Sequence, residues 1–210
     1  MYTILDLDSW NRKDHFNFFK QFEEPFFGLT VKIDCSIAYK YSKKNGNSFF
    51  LYYLHKALVA ANNTTPFRYR IIDDKVVVYD TINASPTIGR EDGTFGFSYM
   101  DYDANFDKFN STAKKEIERV QSTQGLDPAT SGDNVIHFSS MPWIDFTSLS
   151  HARNYAFNDS CPKISFGKMI DENGKKMMSI SIHVHHGLLD GYHVSLFIDE
   201  FQKQLNKSSI

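Results

Sequence analysis

The stretch Ser181-Ile-His183-Val-His185-His186-Gly-Leu-Leu-Asp190-Gly191-Tyr-His193 sets the architecture of the C-terminal part of the chain. Its alternating pattern predicts a β-strand that ends at His186, and the glycine that follows predicts a turn. After the turn a helix is predicted from apolar residues at helical spacing, namely Val194, Phe197, Ile198, Phe201 and Leu205. A histidine at the end of a strand is held by rigid backbone and stays open to a cleft, which is the placement that a general base needs.

The three histidines of this stretch are not equivalent. Side chains alternate between the faces of a strand, so we expect His183 and His185 on one face and His186 on the other. As a base, His186 must be neutral, with one ring nitrogen free and the other fixed by a hydrogen bond. Asp190 either supplies that bond, holds the turn or caps the next helix. Alternatively, His186 is a buried core histidine, or His183 and His185 bind a metal. No cysteine lies nearby, and we expect no metal.

Composition and charge exclude several classes of protein. The 210 residues include 41% apolar residues and carry a net charge of −2, which fits one globular domain over 1–210 without a basic surface for nucleic acid or an anionic membrane. No apolar run reaches the length of a membrane span, and the N-terminus lacks the features of a signal peptide. We expect a cytoplasmic protein in which Cys35 and Cys161 are reduced thiols.

The remaining periodicities predict alternating strands and helices. A first helix is expected to follow an N-cap at Asp8 or Ser9. The predicted helices cover about residues 10–21, 48–62 and 104–122, and the predicted strands cover 26–33, 67–72, 75–79, 134–139, 163–169 and 176–186. This order predicts an α/β (α+β) two-layer sandwich, in which a mixed β-sheet is covered by helices on one side.

At this point the sequence resembles a known family. The segment His185-His186-Gly-Leu-Leu-Asp190-Gly191 resembles the HHxxxDG signature of the CoA-dependent acyltransferases, and its flanks are similar to the chloramphenicol acetyltransferase form. Four further segments match that family in order, namely Asp8 to Phe16, Phe67 to Asp80, Ser139 to Phe146 and Phe166 to Lys168. The resemblance covers nearly the whole chain and implies the CoA-dependent acyltransferase fold.

The resemblance implies a catalytic apparatus. His186 would be the general base that lets an acceptor hydroxyl attack the thioester of acetyl-CoA directly, in a ternary complex with both substrates. Asp190 would form an ion pair with Arg12. Ser139 would stabilise the oxyanion, and a slip of one residue in the alignment would give that role to Ser140 instead.

The resemblance also implies binding residues and an oligomer. Trp143, Ser165 and Lys168 would contact the CoA donor or a water near the reacting centre, whereas Phe18, Phe19 and His137 would line the acceptor pocket for chloramphenicol. Active sites would lie between the subunits of a homotrimer, so that Phe18 and Phe19 face His186 across a subunit boundary. The chain departs from the family where Ser48 replaces a usual lysine, and in the segment 88–97.

Other activities remain open from the sequence. An acyltransferase of this fold could act on another hydroxyl, and a non-catalytic homologue could only bind a small aromatic ligand. The catalytic domains of 2-oxo acid dehydrogenase complexes are disfavoured because their signature begins Asp-His-Arg. Condensation domains are disfavoured because they need about twice this length.

Overall fold

The computed structural model describes residues 1–126, 132–154 and 159–207. Its strands are β1 (Tyr2–Ile4), β2 (Phe26–Asp34), β3 (Tyr69–Ile72), β4 (Lys75–Tyr79), β5 (Asn83–Gly89), β6 (Phe95–Phe97), β7 (Val135–Ser140), β8 (Lys163–Glu172) and β9 (Lys175–His185). Its helices are α1 (Lys13–Phe19), α2 (Ser36–Lys44), α3 (Phe49–Asn63), α4 (Phe106–Ser122) and α5 (Gly191–Asn206). A short 3-10 helix, Thr65–Arg68, precedes β3.

The strands form a large mixed sheet and a small antiparallel one. The six-stranded sheet has the order β2-β9-β8-β7-β5-β6, in which β7 is parallel to both β5 and β8 while the other pairs are antiparallel. The three-stranded sheet has the order β1-β4-β3. Both parallel and antiparallel connections are therefore present, which confirms the predicted α/β class with a mixed sheet.

One face of the large sheet forms the core with the helices. Ile164, Phe166 and Ile182 lie on this face and are completely buried. They alternate along their strands with polar residues, whose side chains point to the opposite face. Phe166 packs against Tyr53 of α3 at 4.7 Å and against Phe201 of α5 at 6.1 Å between ring centroids. The two helices thus cover one side of the sheet, as the sequence predicts.

The opposite face of the sheet is partly covered by the segment 141–154. The Lys168 amide donates to the Ile144 carbonyl at 2.8 Å, and the Ser179 hydroxyl donates to Asp145 at 2.9 Å. These bonds attach the segment to β8 and β9. The polar face of the sheet therefore lies under a loop rather than under helices.

Two tight turns have the chemistry that the sequence indicates. Asp73 and Asp74 adopt φ angles of 48° and 57° between β3 and β4, and Asn173 and Gly174 adopt 53° and 78° between β8 and β9. Two successive left-handed residues make the turn that matches the twist of a hairpin, and Asp, Asn and Gly tolerate it. Both predicted hairpins are confirmed.

The start of the first helix differs from the prediction. Helix α1 begins at Lys13, its N-cap is Arg12, and no side chain caps it, so the predicted cap at Asp8 or Ser9 is wrong. The Asp8 carboxylate instead accepts from the Lys13 ammonium at 2.5 Å. The residues before α1 form turns because Asp8 and Ser9 bond locally to Asp6 rather than to a helix terminus.

None of the helices in the described part of the chain combines the length and the apolar character that crossing a bilayer requires.

Candidate active site

His186 lies one residue beyond the end of β9 and is only partly exposed. Its backbone amide donates to the Pro25 carbonyl at 2.8 Å, and its ring Nδ1 lies 3.3 Å from the Leu189 carbonyl. A carbonyl oxygen can only accept, so Nδ1 carries the hydrogen and Nε2 is the proton-accepting nitrogen of the neutral ring. The partner of the ring is therefore the Leu189 backbone and not Asp190.

Aromatic rings fix the plane of the His186 imidazole. Phe19, the last residue of α1, stacks on it with centroids 4.0 Å apart and an interplanar angle of 11°, and Phe27 of β2 lies at 4.6 Å. Phe18 packs edge-on against Phe19 at 5.1 Å and is 59% exposed. The expectation that Phe19 faces His186 across a subunit boundary is wrong, because the two rings touch within one chain.

Arg12 connects the N-cap position of α1 to the turn after His186. One of its terminal nitrogens forms an ion pair with Asp190, and the other donates to the His186 carbonyl at 3.0 Å. The side chain of Arg12 is only 6% exposed. The predicted pairing of Arg12 with Asp190 is present in the structure.

Asp190 also caps helix α5. Its carboxylate accepts from the backbone amides of Tyr192 at 3.0 Å and of His193 at 3.3 Å, and from the His193 ring at 2.7 Å. Burial raises the pKa of this carboxyl, but the charges of His193 and Arg12 and the hydrogen bonds outweigh it, so the pKa is lowered from its ordinary value. Asp190 therefore holds the turn and caps the helix at the same time.

The other two histidines of the stretch have structural contacts. His185 is 4% exposed and its Nδ1 accepts from the Gly187 amide at 3.1 Å, while burial lowers its pKa to about 4. The His183 ring bonds to the Ser181 hydroxyl at 3.2 Å and lies over Gly28, where an added Cβ would come within 2.3 Å of the ring. Each ring thus has a hydrogen-bond partner within the protein.

Serine hydroxyls form a row across the polar face of the sheet. Ser139 of β7 is in register with Ser165 of β8, which is in register with Ser181 of β9, so the three share one face. Ser165 is fully buried and its hydroxyl has no hydrogen-bond partner. Ser140 points to the helical face, where its hydroxyl lies 3.0 Å from the buried Tyr53 hydroxyl.

The structure does not bring the serine row to the imidazole of the same chain. Ser181 precedes His186 in the sequence, and the rise of about 3.3 Å per strand residue separates them by roughly 16 Å along the strand. Ser139 lies two strands further across the sheet. The predicted base and the predicted oxyanion donor are therefore far apart within one chain.

A mainly apolar cavity of about 560 Å³ opens beside the C-terminal end of β7. Trp143, 78% exposed, lines it together with Phe50, Ser140 and Lys168, whereas Phe146 is buried in the core. Ser48 lies outside this lining and caps α3 by accepting from the Leu51 amide at 3.4 Å. The residues predicted to bind the CoA donor, Trp143 and Lys168, thus line one cavity. Ser48, which stands where the family usually has a lysine, serves as the N-cap of α3.

His137 lies in a second cavity, of about 660 Å³, on the polar face of the sheet. It is in register with Lys163 of β8, and Asp159 and Cys161 line the same cavity. Burial lowers the pKa of His137 to about 4. His137 is two residues before Ser139 on the same face, so this cavity adjoins the serine row on the side away from Trp143.

The sequence missed several groups that contact the predicted site residues. The Leu189 carbonyl orients His186 but has no side-chain signature, and Phe27 was predicted only as part of a strand. Tyr53 was predicted as part of a buried helix, although its hydroxyl fixes Ser140. The run of aromatics around Tyr53 is the signal that could have suggested contact with the strand ends.

Comparisons with known proteins agree over the whole chain. The family model described as "Chloramphenicol acetyltransferase" matches residues 1–202. A curated chloramphenicol acetyltransferase of Proteus mirabilis is 28% identical over 95% of this chain and 93% of that protein. A solved chloramphenicol acetyltransferase is 34% identical, covers 98% of this chain and 100% of its own, and superimposes with a TM-score of 0.90. A probable dihydrolipoamide acetyltransferase from Listeria monocytogenes, with 13% identity, coverage of 94% and 92% and a TM-score of 0.70, shares the fold.

Proposed function

The chain belongs to the chloramphenicol acetyltransferase family and is therefore an acyltransferase, and we propose that it transfers the acetyl group of acetyl-CoA to a hydroxyl of chloramphenicol and so confers resistance to that antibiotic. The observation that carries this proposal is the way in which the His186 ring is hydrogen-bonded and packed. Its Nδ1 is committed to the Leu189 carbonyl, its ring is held by Phe19, and Nε2 is the nitrogen left to accept a proton.

In the proposed reaction His186 acts as a general base. Nε2 takes the proton of the acceptor hydroxyl while the oxygen bonds to the thioester carbonyl carbon. The tetrahedral intermediate then expels the CoA sulfur, and the imidazolium returns the proton to that thiolate. No acyl-enzyme forms, so both substrates must be bound together. Arg12 and Asp190 are positioning residues, because they hold the backbone of the turn that carries the base.

We assign the role of hydrogen-bond donor to the oxyanion to Ser139 rather than to Ser140. The Ser140 hydroxyl faces the helices and bonds to Tyr53, whereas Ser139 faces the polar side of the sheet. A hydroxyl aimed at the developing charge stabilises the transition state more than the ground state. The unpartnered hydroxyl of Ser165 beside it is suited to hold a water at the reacting centre.

The two cavities support a division between donor and acceptor. The pantetheine arm of acetyl-CoA would lie in the apolar cavity at Trp143, with Lys168 near its phosphates. Phe18 and Phe19 beside the base, and His137 beyond the serine row, would contact the acceptor. No step of this reaction calls for a metal ion.

The wide separation between His186 and Ser139 supports an active site shared by two chains. We propose a homotrimer of single domains over 1–210, in which His186 of one subunit meets Ser139 of the next. A head-to-tail interface of this kind closes into a ring and gives equivalent sites. We also propose a cytoplasmic location, since both Cys35 and Cys161 are buried free thiols.

A direct assay tests the activity. The purified protein is mixed with acetyl-CoA and chloramphenicol, and free thiol is followed spectrophotometrically, with His186→Ala as the matched control. We expect thiol release that depends on the drug and on His186. Thiol release with other alcohols but not with chloramphenicol would support His186 as the base but would show that the acceptor is a different hydroxyl compound. Drug binding without any thiol release would instead indicate the non-catalytic homologue.

A further inference from the structure

Three side chains with metal-binding atoms meet in the larger cavity. The ring nitrogen of His137, a carboxylate oxygen of Asp159 and the sulfur of Cys161 all lie within 4.8 Å of one another. The backbone creates this cluster: the His137 amide donates to the Pro162 carbonyl at 3.0 Å, which places β7 against the segment 159–163. Asp159 and Cys161 are two residues apart just before β8, and the Asp159 carboxylate accepts from the Cys161 amide at 2.8 Å, which holds the two side chains on the same side.

The chemistry of the three groups fits one kind of ion. Thiolate, imidazole and carboxylate are the ligands that Zn²⁺ takes in proteins, at about 2.0–2.3 Å and in tetrahedral geometry. Hard cations such as Mg²⁺ prefer oxygen ligands alone. Three protein ligands beside an open cavity leave the fourth position for water.

We propose that His137, Asp159 and Cys161 form a site for Zn²⁺, with a water molecule as the fourth ligand. The metal binds the thiolate of Cys161, so the thiol proton, now directed at the Asp133 carbonyl at 3.4 Å, is released to solvent. Asp159 is already held in place for this role, since one of its oxygens accepts from the Cys161 amide at 2.8 Å. The site lies in the cavity that the proposed function gives to the acceptor, two residues before Ser139 on the same face of β7, and the metal takes no part in the proposed proton transfer.

A cation already occupies part of this position. The ammonium of Lys163 forms an ion pair with the second oxygen of Asp159. The positive charge of Lys163 beside the Asp159 carboxylate opposes the approach of Zn²⁺, so Lys163 competes with the metal for this ligand. Removal of the lysine charge should therefore tighten metal binding, an effect that a non-specific surface site would not show.

Binding of Co²⁺ to the metal-free full-length protein tests the site. Co²⁺ replaces Zn²⁺ in such sites and reports a thiolate ligand through a sulfur-to-metal charge-transfer band. We expect one equivalent per chain with this band, which Zn²⁺ abolishes by displacement. Cys161→Ser should remove the band, and Cys35→Ser, at the other buried thiol, should leave it unchanged.

Affinity measurements complete the test. His137→Ala should weaken Co²⁺ binding by about 10–100-fold or more, the range that even outer-shell changes reach. Lys163→Met should strengthen binding several-fold. A band that survives Cys161→Ser, or an affinity that Lys163→Met lowers or leaves unchanged, would overturn the proposal. Because the readout uses no acetyl transfer, its failure is distinct from a failure of the proposed activity.

Discussion

The guanidinium of Arg12 holds the backbone of His186 through a 3.0 Å hydrogen bond to its carbonyl. The same guanidinium binds Asp190 on the far side of the turn, so the strand that ends at the histidine and the helix that starts at the aspartate are fixed to one point. Phe19, at the other end of α1, stacks on the imidazole ring. Helix α1 thus positions both the backbone and the ring of the proposed base.

The first prediction concerns this connection. Arg12→Ala and Asp190→Ala should each lower kcat, because either change frees the turn that carries His186. The double variant should lose less than the sum of the two single losses, with a coupling of about 0.5–3 kcal/mol in activation free energy. Steady-state thiol-release rates of the four proteins give this cycle. Strictly additive losses would show that the two residues act independently.

The second prediction separates the base from its neighbours. His186→Ala should lower kcat by roughly 10²–10⁴-fold, the usual contribution of general base catalysis. His183→Ala is the matched control and should have a mild effect, since this ring contacts Ser181 and Gly28 rather than the turn. Equal losses of kcat in the two variants would show that His186 is not the general base.

The third prediction distinguishes the adjacent serines. Ser139→Ala should lower kcat by about 10²–10³-fold with little change in KM, as expected for a donor that acts in the transition state. Ser140→Ala should mainly loosen the contact with Tyr53 and affect stability more than turnover. A large loss of kcat in Ser140→Ala but not in Ser139→Ala would mean that the hydrogen-bond donor to the oxyanion lies on the helical face of the sheet.

The fourth prediction follows from the lowered pKa of Asp190. A carboxyl whose pKa is lower in the folded than in the unfolded protein adds stability above its unfolded pKa, and this stability is lost as the pH falls through the folded value. Wild-type protein should therefore lose more stability on acidification below about pH 4 than Asp190→Asn, which can still cap α5. Urea midpoints at fixed protein concentration measure the difference, and parallel curves would contradict it.

Much of the fold is encoded in local patterns of the sequence. The sequence predicts the apolar helix that follows Ser48 and the hairpins at Asp73 and Gly174, because a run of apolar residues and turn-forming residues are strong local signals. β1 and β6 were missed because each has only three residues, and β5 because Pro86 interrupts its pattern. Helix α2 was missed because Ser36–Lys44 is largely polar.

The candidate site was only partly predictable for a different reason. Arg12, Asp190 and His186 have side chains whose chemistry is visible in the sequence. The Leu189 carbonyl that orients the imidazole exists at every residue, so only the folded turn identifies it. The stacking of Phe19 on His186 within one chain also depends on where α1 ends, and helix boundaries are the least reliable part of a sequence prediction.

The last prediction tests whether the site is shared between subunits. His186→Ala and Ser139→Ala should each be nearly inactive alone, since one lacks the base and the other the oxyanion donor. If the two groups come from neighbouring subunits of a trimer, co-refolding equal amounts creates some sites with both native residues. Random assembly in a closed ring places them together at roughly one quarter of the sites, so activity should recover to about that fraction of wild type.

The control for this recovery is the same mixture without co-refolding, in which the subunits do not exchange and activity stays low. A second control co-refolds His186→Ala with the double variant, which supplies neither native residue and should restore nothing. Recovery in the first mixture alone requires His186 and Ser139 to come from different chains, in agreement with their positions at distant points of the sheet within one chain. Activity that never exceeds that of the parent variants would place the whole reacting centre within one chain.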